Sequence, residues 1–325
     1  MTEQQLKTLF LRQRQSLPLR MVIQMSIRRI VAWREYWQGL GKDVYVSLGG
    51  KDSHALLNLV RTVYPDVPGV FVDTGLEYPE VRELNRRTPN VIILKPKLTF
   101  AQVVEIYGWP VVSKKMAQYI HEIQNPTERN KNTVRLRTTG FRANGTFSPM
   151  SKISDKWLYL KDAPFKISNA CCHIMKVNPL RKFAKEANLI PIIGTTSDES
   201  DTREHNYIRY GCNAYNTKFP VSTPIIFWTE QHVLQYLREN DIEVASCYGQ
   251  QVQRTECKWI FTGVQRTGCM PCGFGGHLEP RPNRFERMEQ THPNMHKYIM
   301  YGLNGKEVFD YCGIPWRQEQ SCFAF

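Results

Sequence analysis

The sequence predicts an α/β protein with a parallel, twisted sheet flanked by helices and a cysteine-rich C-terminal region. From Val44 onward, short apolar runs alternate with amphipathic segments, the pattern of strands joined by crossover helices. Polar residues follow several of these runs, and ligands of parallel sheets bind beyond the carboxyl ends of the strands. The alternation ends near residue 245, where Cys, Gly and Pro replace it.

Composition limits the class of protein. The chain has 325 residues, 42% of them hydrophobic, which is enough for a substantial core. No apolar run approaches the roughly 20 residues that cross a membrane, and the N-terminus lacks a secretory apolar segment. We therefore expect a cytoplasmic protein without a membrane partner. The 43 Lys and Arg exceed the 30 Asp and Glu, a net charge of +13 that favours anionic nucleotides or nucleic acid as partners.

Residues 1–42 are predicted to form N-terminal helices that pack on the main domain. Pro18 divides the segment, so two helices are expected. Arg34 is expected to lie largely outside the apolar face. That face is formed by Leu6, Leu9, Phe10, Ile23, Ile27 and Ile30.

The first strand of the predicted sheet, Val44–Val46, leads into the sequence Gly-Gly-Lys-Asp-Ser at Gly49–Ser53. A helix is predicted over 53–62. Glycines let backbone amides approach an anion closely, and a helix N-terminus adds partial positive charge. Lys51 supplies a full charge. A tight strand–helix turn with a capping serine is the simpler interpretation, but five specific residues in this order favour a phosphate site.

The alternation continues along the chain. A strand is predicted over Val67–Val72, ending at Asp73–Gly75, and a helix from near Pro79. Another strand is predicted over 90–94. Further helices are predicted over 99–107, 113–123, 179–188 and 229–237, with strands over 189–194 and 221–228 and a helix over 283–290.

Residues 125–165 lose this periodicity and form a basic, loop-rich insert. It is interpreted either as a solvated surface loop or as a flap that binds a polyanion. Its cations are Arg129, Lys131, Arg135, Arg137, Arg142, Lys152, Lys156 and Lys161. The predicted domain organisation is N-terminal helices over 1–42, a nucleotide-binding domain with this insert over 43–242, and a C-terminal region over 243–325.

Four of the nine cysteines stand out, a doublet and a Cys-x-x-Cys flanked by glycines. Four thiolates can hold zinc or an iron–sulfur cluster. Consecutive side chains diverge, which suits a cluster of several iron atoms better than one tetrahedral zinc ion. Buried unligated thiols and a purely redox Cys-x-x-Cys are the other interpretations. The predicted ligands are Cys171, Cys172, Cys269 and Cys272.

Together these stretches resemble the PAPS (phosphoadenosine phosphosulfate) reductase-like branch of the PP-loop ATP pyrophosphatases, within the adenine nucleotide alpha hydrolase-like superfamily. The resemblance covers roughly residues 42–275. Leu48–Ser53 is similar to the family's Ser-Gly-Gly-x-Asp-Ser loop, with leucine at the first serine. Asp73–Glu80 is similar to its Asp-Thr-Gly-x-x-Tyr/Phe-Pro-Glu stretch. Gly194–Arg203 resembles its Gly-x-Arg-x-x-Glu-Ser-x-x-Arg segment, with Thr196 at the first arginine.

The resemblance implies a Rossmann-like PP-loop (HUP) fold, a [4Fe–4S] cluster on the four cysteines, bound ATP, and Mg²⁺ near Asp52. Lys51, Asp52 and Arg203 are the implied catalytic residues. The implied nucleotide-binding residues are Ser47, Gly49, Gly50, Lys51, Asp52, Ser53, Asp73, Thr74, Gly75, Glu199, Ser200 and Arg203.

Within the family, the nearly complete Gly-Gly-Lys-Asp-Ser favours an ATP pyrophosphatase similar to that of DNA phosphorothioation systems. Such an enzyme would cleave ATP to AMP and pyrophosphate and activate a nucleic-acid acceptor for sulfur, supplied by a cysteine desulfurase or another donor. The first alternative is a reductase of APS (adenosine 5'-phosphosulfate) or PAPS in sulfate assimilation, with Cys312 or Cys322 as nucleophile. The second is a non-catalytic nucleic-acid-binding component of a defence system.

Overall fold

The computed structural model describes residues 2–256 and 258–317, and within them it leaves out the side chain of Glu199. The chain forms two compact units. The first unit comprises Met1–Lys95 and Pro179–Gly268, and the second comprises Pro96–Asn178 and Cys269–Phe325. This division differs from the predicted boundaries after residues 42 and 242, because the chain leaves the first unit after one set of strands and later returns to it. The chain crosses between the units three times, at 95–96, 178–179 and 268–269, and no change in composition marks the first two crossings.

The order of helices and strands follows the predicted alternation through the first half of the chain. The strands are β1 (Asp43–Leu48), β2 (Gly69–Val72), β3 (Val91–Leu94), β4 (Val111–Val112), β5 (Leu189–Ile193), β6 (Asn213–Ala214), β7 (Val221–Ser222), β8 (Gln251–Thr255), β9 (Lys258–Phe261) and β10 (Gly273–Phe274). The helices are α1 (Glu3–Gln15), α2 (Leu19–Gln38), α3 (Lys51–Val63), α4 (Pro79–Arg87), α5 (Phe100–Ile106), α6 (Lys114–Gln124), α7 (Lys131–Thr139), α8 (Asn178–Glu186), α9 (Asp201–Tyr210), α10 (Glu230–Glu239), α11 (Arg284–Thr291), α12 (Pro293–Lys297) and α13 (Gly305–Tyr311). None of the described helices is long and apolar enough to cross a membrane.

A six-stranded sheet with the order β3-β2-β1-β5-β7-β6 forms the centre of the first unit. All neighbouring strands are parallel except β6 and β7, which pair antiparallel. The predicted parallel α/β fold is therefore confirmed. The predicted strand over 221–228 is shorter, since only Val221–Ser222 pairs and the apolar residues after it form a buried turn.

The N-terminal helices are part of the first unit's core. Trp33 of α2 is fully buried in the cluster that also holds Leu56 of α3 and Trp228. The Trp228 indole Nε1 donates to Ser26 Oγ at 2.9 Å, and Ser26 Oγ donates to the Pro224 carbonyl at 2.9 Å. These two buried hydrogen bonds connect α2 to the turn after β7, so the helices pack on the main fold as predicted.

Arg34 departs from its predicted position outside the apolar face. Its side chain is 7% exposed and forms ion pairs with Asp43, at 2.9 Å from Nε to Oδ1, and with Asp66. The hydrogen bonds that the guanidinium donates to Asp66 and Asp43 raise its pKa. Because the partners come from β1 and the segment before β2, the pairing could not be read from the periodicity of α2 alone.

His54 lies on α3 and predicts a pH dependence of stability. It is 6% exposed, and burial lowers its pKa to about 4 from the ordinary 6.5. Between these values the unfolded chain binds the proton and the folded chain does not, so the free energy of unfolding falls as the pH falls. We expect a loss of about 2 kcal/mol between pH 7 and pH 5 from this group.

Urea unfolding at the two pH values measures this loss, with His54→Gln as the variant that lacks the titrating ring. The variant should lose about 2 kcal/mol less than the parent over the same interval. Equal losses in parent and variant would contradict the assignment to His54.

The second unit is mostly helical, with a small parallel pairing of β4 and β10. Trp109 packs edge-on against Phe309, which in turn contacts Phe285. The basic insert contains α7 and 3₁₀ turns at Pro149–Ser151 and Asp155–Asp162, so it has more regular structure than predicted. The described side chains of α7 include no buried one, which explains why the insert shows no helical periodicity.

Candidate functional site

The first unit places its polar strand-end loops where the strand order of the sheet reverses. From β1, the chain adds β2 and β3 on one side, and β5 and β7 lie on the other. Ser47 near the end of β1 pairs with Ile193 at the end of β5. The loops that follow β1 and β5 therefore flank the crevice in which open α/β sheets bind ligands.

The loop Gly49–Ser53 closes on itself as α3 begins. Ser53 Oγ accepts a hydrogen bond from the Gly49 amide at 2.8 Å and donates one to the Gly50 carbonyl at 2.7 Å. Among the described residues, the amides of Gly50 and Asp52 have no acceptor within the protein. These amides at a helix N-terminus are suited to an anion.

Tyr248 and Thr267 complete this loop, and no motif or periodicity indicated either residue. The Lys51 amide donates to Tyr248 Oη at 3.0 Å, and that hydroxyl lies 2.7 Å from Thr267 Oγ1. A Cβ on Gly50 would lie 2.4 Å from both hydroxyl oxygens. Gly50 therefore has to be glycine for this contact, and Tyr248 occupies one of the amides that an anion would otherwise use.

Lys51 and Asp52, two of the predicted catalytic residues, lie together at the start of α3. The Lys51 side chain is 7% exposed, with Nζ 3.3 Å from Asp52 Oδ1 and 3.7 Å from Glu230 Oε1. A buried ammonium with carboxylates on one side is held in position and keeps its charge close to the free amides.

Arg203, the third predicted catalytic residue, interacts electrostatically with Asp52 and with Arg266. Burial lowers the pKa of the Arg203 guanidinium, the charge of Arg266 lowers it further, and Asp52 opposes both. Two guanidinium groups that interact with each other, one of them also with Asp52 of the loop, favour a bound anion. Arg266 was missed from the sequence because it lies in a stretch without periodicity.

Gly194, at the end of β5, lets this strand end meet α3. A Cβ there would lie 2.8 Å from Ser53 Cα and 2.9 Å from the Asp52 carbonyl oxygen. We expect Gly194→Ala to lower the free energy of unfolding by about 1–3 kcal/mol, because backbone atoms must move apart. Gly49→Ala is the control, since nothing lies within 4 Å of its Cβ. Denaturant unfolding that gives equal losses for both variants would contradict this packing role.

The predicted nucleotide contact at Asp73–Gly75 has internal partners. Asp73 is 4% exposed and forms ion pairs with Arg82 and Arg86, each at 2.7 Å. Burial raises the pKa of the Asp73 carboxyl, but the hydrogen bonds from the two arginines outweigh it and lower the pKa overall. Thr74 Oγ1 donates to Glu77 at 2.8–2.9 Å. This network fixes the loop after β2, and the role of these residues in nucleotide binding stays a prediction.

The other residues predicted to bind the nucleotide are less well placed for it, or their side chains are outside the described part of the structure. Ser47 is half-buried within β1. Ser200 is exposed, and its carbonyl accepts from the Arg203 amide at 3.0 Å. The Glu199 side chain is not described. Thr196, at the position where the resembling family has arginine, is 3% exposed.

The four predicted cluster ligands all belong to the second unit. Cys272 follows Cys269 in a tight turn, with the Cys272 amide donating to the Cys269 carbonyl at 3.1 Å. Burial raises the pKa of the Cys171 thiol, and the electrostatic effects of Cys269, Cys172 and Cys272 raise it further. The structure therefore brings the doublet close to the Cys-x-x-Cys, although 96 residues separate them in the sequence.

Cations accompany these thiols. Arg284 Nη1 donates to the Cys272 carbonyl at 3.0 Å, and both Arg284 and Lys176 act to lower the Cys272 pKa against the larger effect of burial. Four cysteines next to positive charge fit an anionic iron–sulfur cluster. Among the described residues, no group of three or more His, Cys, Asp or Glu side chains is arranged around a single metal ion. The cluster accordingly remains a prediction.

The other described thiols are poor nucleophiles. Burial raises the pKa of Cys212 to about 11 and those of Cys247 and Cys312 to about 12. Cys312 is 1% exposed. Reactive cysteines need a lowered pKa and access; none of these three has a lowered pKa, and Cys212 and Cys312 are buried as well. Cys257 and Cys322 lie outside the described residues.

One family model matches more than half of the chain. The sequence profile of the phosphoadenosine phosphosulfate reductase domain matches residues 42–147 and 113–273. The adenosine 5'-phosphosulfate reductase of Staphylococcus haemolyticus is 22% identical over 82% of this chain and 84% of its own length. That of Staphylococcus epidermidis is 24% identical over 78% and 80%. The crystal structure of a phosphoadenylyl-sulfate reductase from Candida auris in a phosphate complex is 14% identical, with a TM-score of 0.35 over 62% of this chain and 75% of that chain.

Proposed function

Because the chain belongs to the phosphoadenosine phosphosulfate reductase domain family, we propose that it reduces a sulfonucleotide, with APS as the first candidate substrate. The observation that supports this most directly is that Lys51 and Arg203, the latter with Arg266 nearby, both interact with Asp52 in the loop that carries the free amides of Gly50 and Asp52. This arrangement offers an anion fixed charge and hydrogen-bond donors at the switch point of the sheet.

This proposal reverses the order of the two enzyme hypotheses drawn from sequence, in which ATP cleavage came first. The named relatives are reductases. Tyr248 also supports placing the reductase first. Its hydroxyl accepts the hydrogen bond of the Lys51 amide, so fewer donors remain for a pyrophosphate group. A sulfate group carries less charge than pyrophosphate and needs fewer donors.

In the proposed reaction, a thiolate of the chain attacks the sulfur of the sulfonucleotide. The bond between that sulfur and the bridging oxygen breaks, and the nucleoside phosphate leaves with the electron pair. Lys51 and Arg203 would offset the charge that develops on the leaving phosphate. The products of this step are a cysteine S-sulfonate and AMP when the substrate is APS.

A dithiol reductant completes the reaction. One of its thiolates attacks the Sγ of the sulfonated cysteine, sulfite leaves, and the second thiol reduces the mixed disulfide. Two electrons pass from the dithiol to sulfur. We assign the nucleophile to Cys322, because Cys312 is buried with a raised pKa.

The four cysteines of the second unit would hold a [4Fe–4S] cluster in this proposal, and Arg284 and Lys176 would balance its charge. When bound, such a cluster supplies a compact, polarisable charge and the capacity to exchange one electron. The residues of the chain itself bind the substrate and offset the charge of its leaving group.

The second candidate is the ATP pyrophosphatase predicted from sequence. Its specific support is the pairing of Lys51 with Asp52 at 3.3 Å, which leaves a half-buried carboxylate at the loop where Mg²⁺ would be needed. It would also require a sulfur donor and a nucleic-acid acceptor.

One experiment separates the two candidates. The protein is purified without oxygen and incubated separately with APS, with PAPS and with ATP plus Mg²⁺, in the presence of a dithiol protein of the thioredoxin class. We expect sulfite and AMP from APS in equal amounts. AMP and pyrophosphate from ATP, without sulfite from either sulfonucleotide, would reject the reductase proposal and support the pyrophosphatase.

A further inference from the structure

The basic insert of the second unit carries an ordered hairpin whose role the proposed function does not explain. Residues 140–148 form this hairpin. The Arg142 amide donates to the Thr146 carbonyl at 2.9 Å, and the Ser148 amide donates to the Gly140 carbonyl at 2.7 Å. Gly140 needs to be glycine, because its φ is +81° and a Cβ would lie 2.6 Å from the Phe147 ring.

Two phenylalanines of this hairpin are exposed to solvent. Phe141 and Phe147 form a cross-strand pair with ring centroids 5.1 Å apart, and they are 44% and 54% exposed. Every residue from 141 to 147 is exposed. Single exposed apolar residues are common on proteins, but two exposed rings in contact, tilted by 51° to each other, present a continuous aromatic surface.

Within the part of the chain that the structure describes, four of the eight cations of the insert lack carboxylate partners. The insert has eight Lys and Arg against three acidic residues, and each of the three pairs with a lysine. Arg137 pairs with Glu122. Among the described residues, the remaining four cations form no ion pair, and Arg135 instead donates to the Arg142 carbonyl at 3.2 Å and braces the hairpin. These four cations are Arg129, Arg135, Arg142 and Lys156.

We propose that this hairpin and its arginines bind single-stranded nucleic acid. Exposed aromatic rings among unpaired cations match the two requirements for such binding, a stacking platform for bases and positive charge for the phosphates. A duplex would hide its base faces from the phenylalanines, so the preference should be for single strands. The inference does not depend on which reaction the first unit catalyses.

The test is fluorescence anisotropy of the full-length protein with a labelled oligothymidylate of about 20 nucleotides, a length that exceeds the usual site size. We expect binding at about 50 mM salt that weakens steeply by about 200 mM. Phe141→Ala combined with Phe147→Ala should weaken binding roughly tenfold to a hundredfold. Arg135→Ala and Arg142→Ala should each lower the slope of log affinity against log salt by about 0.7.

Phe219→Ala is the matched control, because Phe219 is 49% exposed and belongs to the first unit. It should bind like the parent. The arginine variants keep the test valid if the double phenylalanine variant unfolds. No binding at low salt, equal affinity of the parent and the double phenylalanine variant, or equal displacement by poly-glutamate would overturn the proposal, the last by showing an acidic protein surface to be an equivalent partner.

Discussion

Replacing Cys322 with serine is expected to abolish sulfite release from APS, with a loss of at least about 1,000-fold. The reason is chemical. The proposed first step needs a thiolate that reaches the sulfur, and the described thiols outside the four-cysteine group have pKa values raised by burial. A serine hydroxyl at position 322 would be far less nucleophilic at neutral pH. The measurement is sulfite formed per minute under anaerobic conditions with excess reductant.

Cys312→Ala is the matched control, since Cys312 is the other C-terminal thiol and is 1% exposed. It should retain about the parental rate, provided that thermal unfolding shows a folded protein. A second readout is mass spectrometry of protein exposed to APS without reductant, where the peptide with Cys322 should gain one sulfonate group. Loss of sulfite release in Cys312→Ala together with full activity in Cys322→Ser would show that the assignment is wrong.

The parts of the fold that follow from local pattern could be predicted from the sequence. The apolar runs of β1, β2 and β5 are buried or half-buried strands because both faces of a parallel sheet are covered, and β3 at the edge of the sheet is half-buried except at Ile92. The glycine-rich loop after β1 could be predicted for a similar reason, since its residues are consecutive. Such features can be predicted without knowing which residues lie nearby in the folded protein.

Contacts between distant segments could not be predicted in this way. Tyr248 binds the Lys51 amide across 197 positions, and no periodicity or motif marks it. Arg266, whose charge acts on Arg203, lies in a stretch rich in turns. The pairing of Arg34 with Asp43 and Asp66 likewise depends on how α2 lies against β1. In each case a polar side chain finds its partner only once the strands and helices have packed.

The division into two units differs from the predicted domains because the chain crosses between the units three times, and the first two crossings fall in ordinary sequence. Lys95 and Pro96 separate β3 from α5 without a linker, and Asn178 and Pro179 lie within α8. The prediction used composition to place boundaries, and composition changes at the insert and near residue 245 instead. Those changes mark loops and exposed helices, as α7 shows.

Replacing Cys272 with serine is expected to remove most of the iron from the purified protein. An intact [4Fe–4S] cluster contributes about four iron atoms and four sulfide ions per chain and a brown colour. Cys272 is a suitable position to test, because its carbonyl accepts from Arg284 and its thiol interacts with Cys172. The variant should be nearly colourless, as measured by visible absorbance, iron and acid-labile sulfide. Cys212→Ala in the first unit is the control and should keep parental iron.

The cysteine doublet favours an iron–sulfur cluster over a zinc ion. Adjacent side chains diverge, so Cys171 and Cys172 can each reach a different iron of one cluster, whereas one tetrahedral zinc ion would need both to converge. Cys171 interacts electrostatically with the other three thiols, as four ligands of one cluster would. Cys171→Ser and Cys172→Ser should therefore each lower the iron content. One zinc atom per chain without iron or sulfide in anaerobically purified parent protein would contradict the cluster, and unchanged iron in both doublet variants would contradict its ligands.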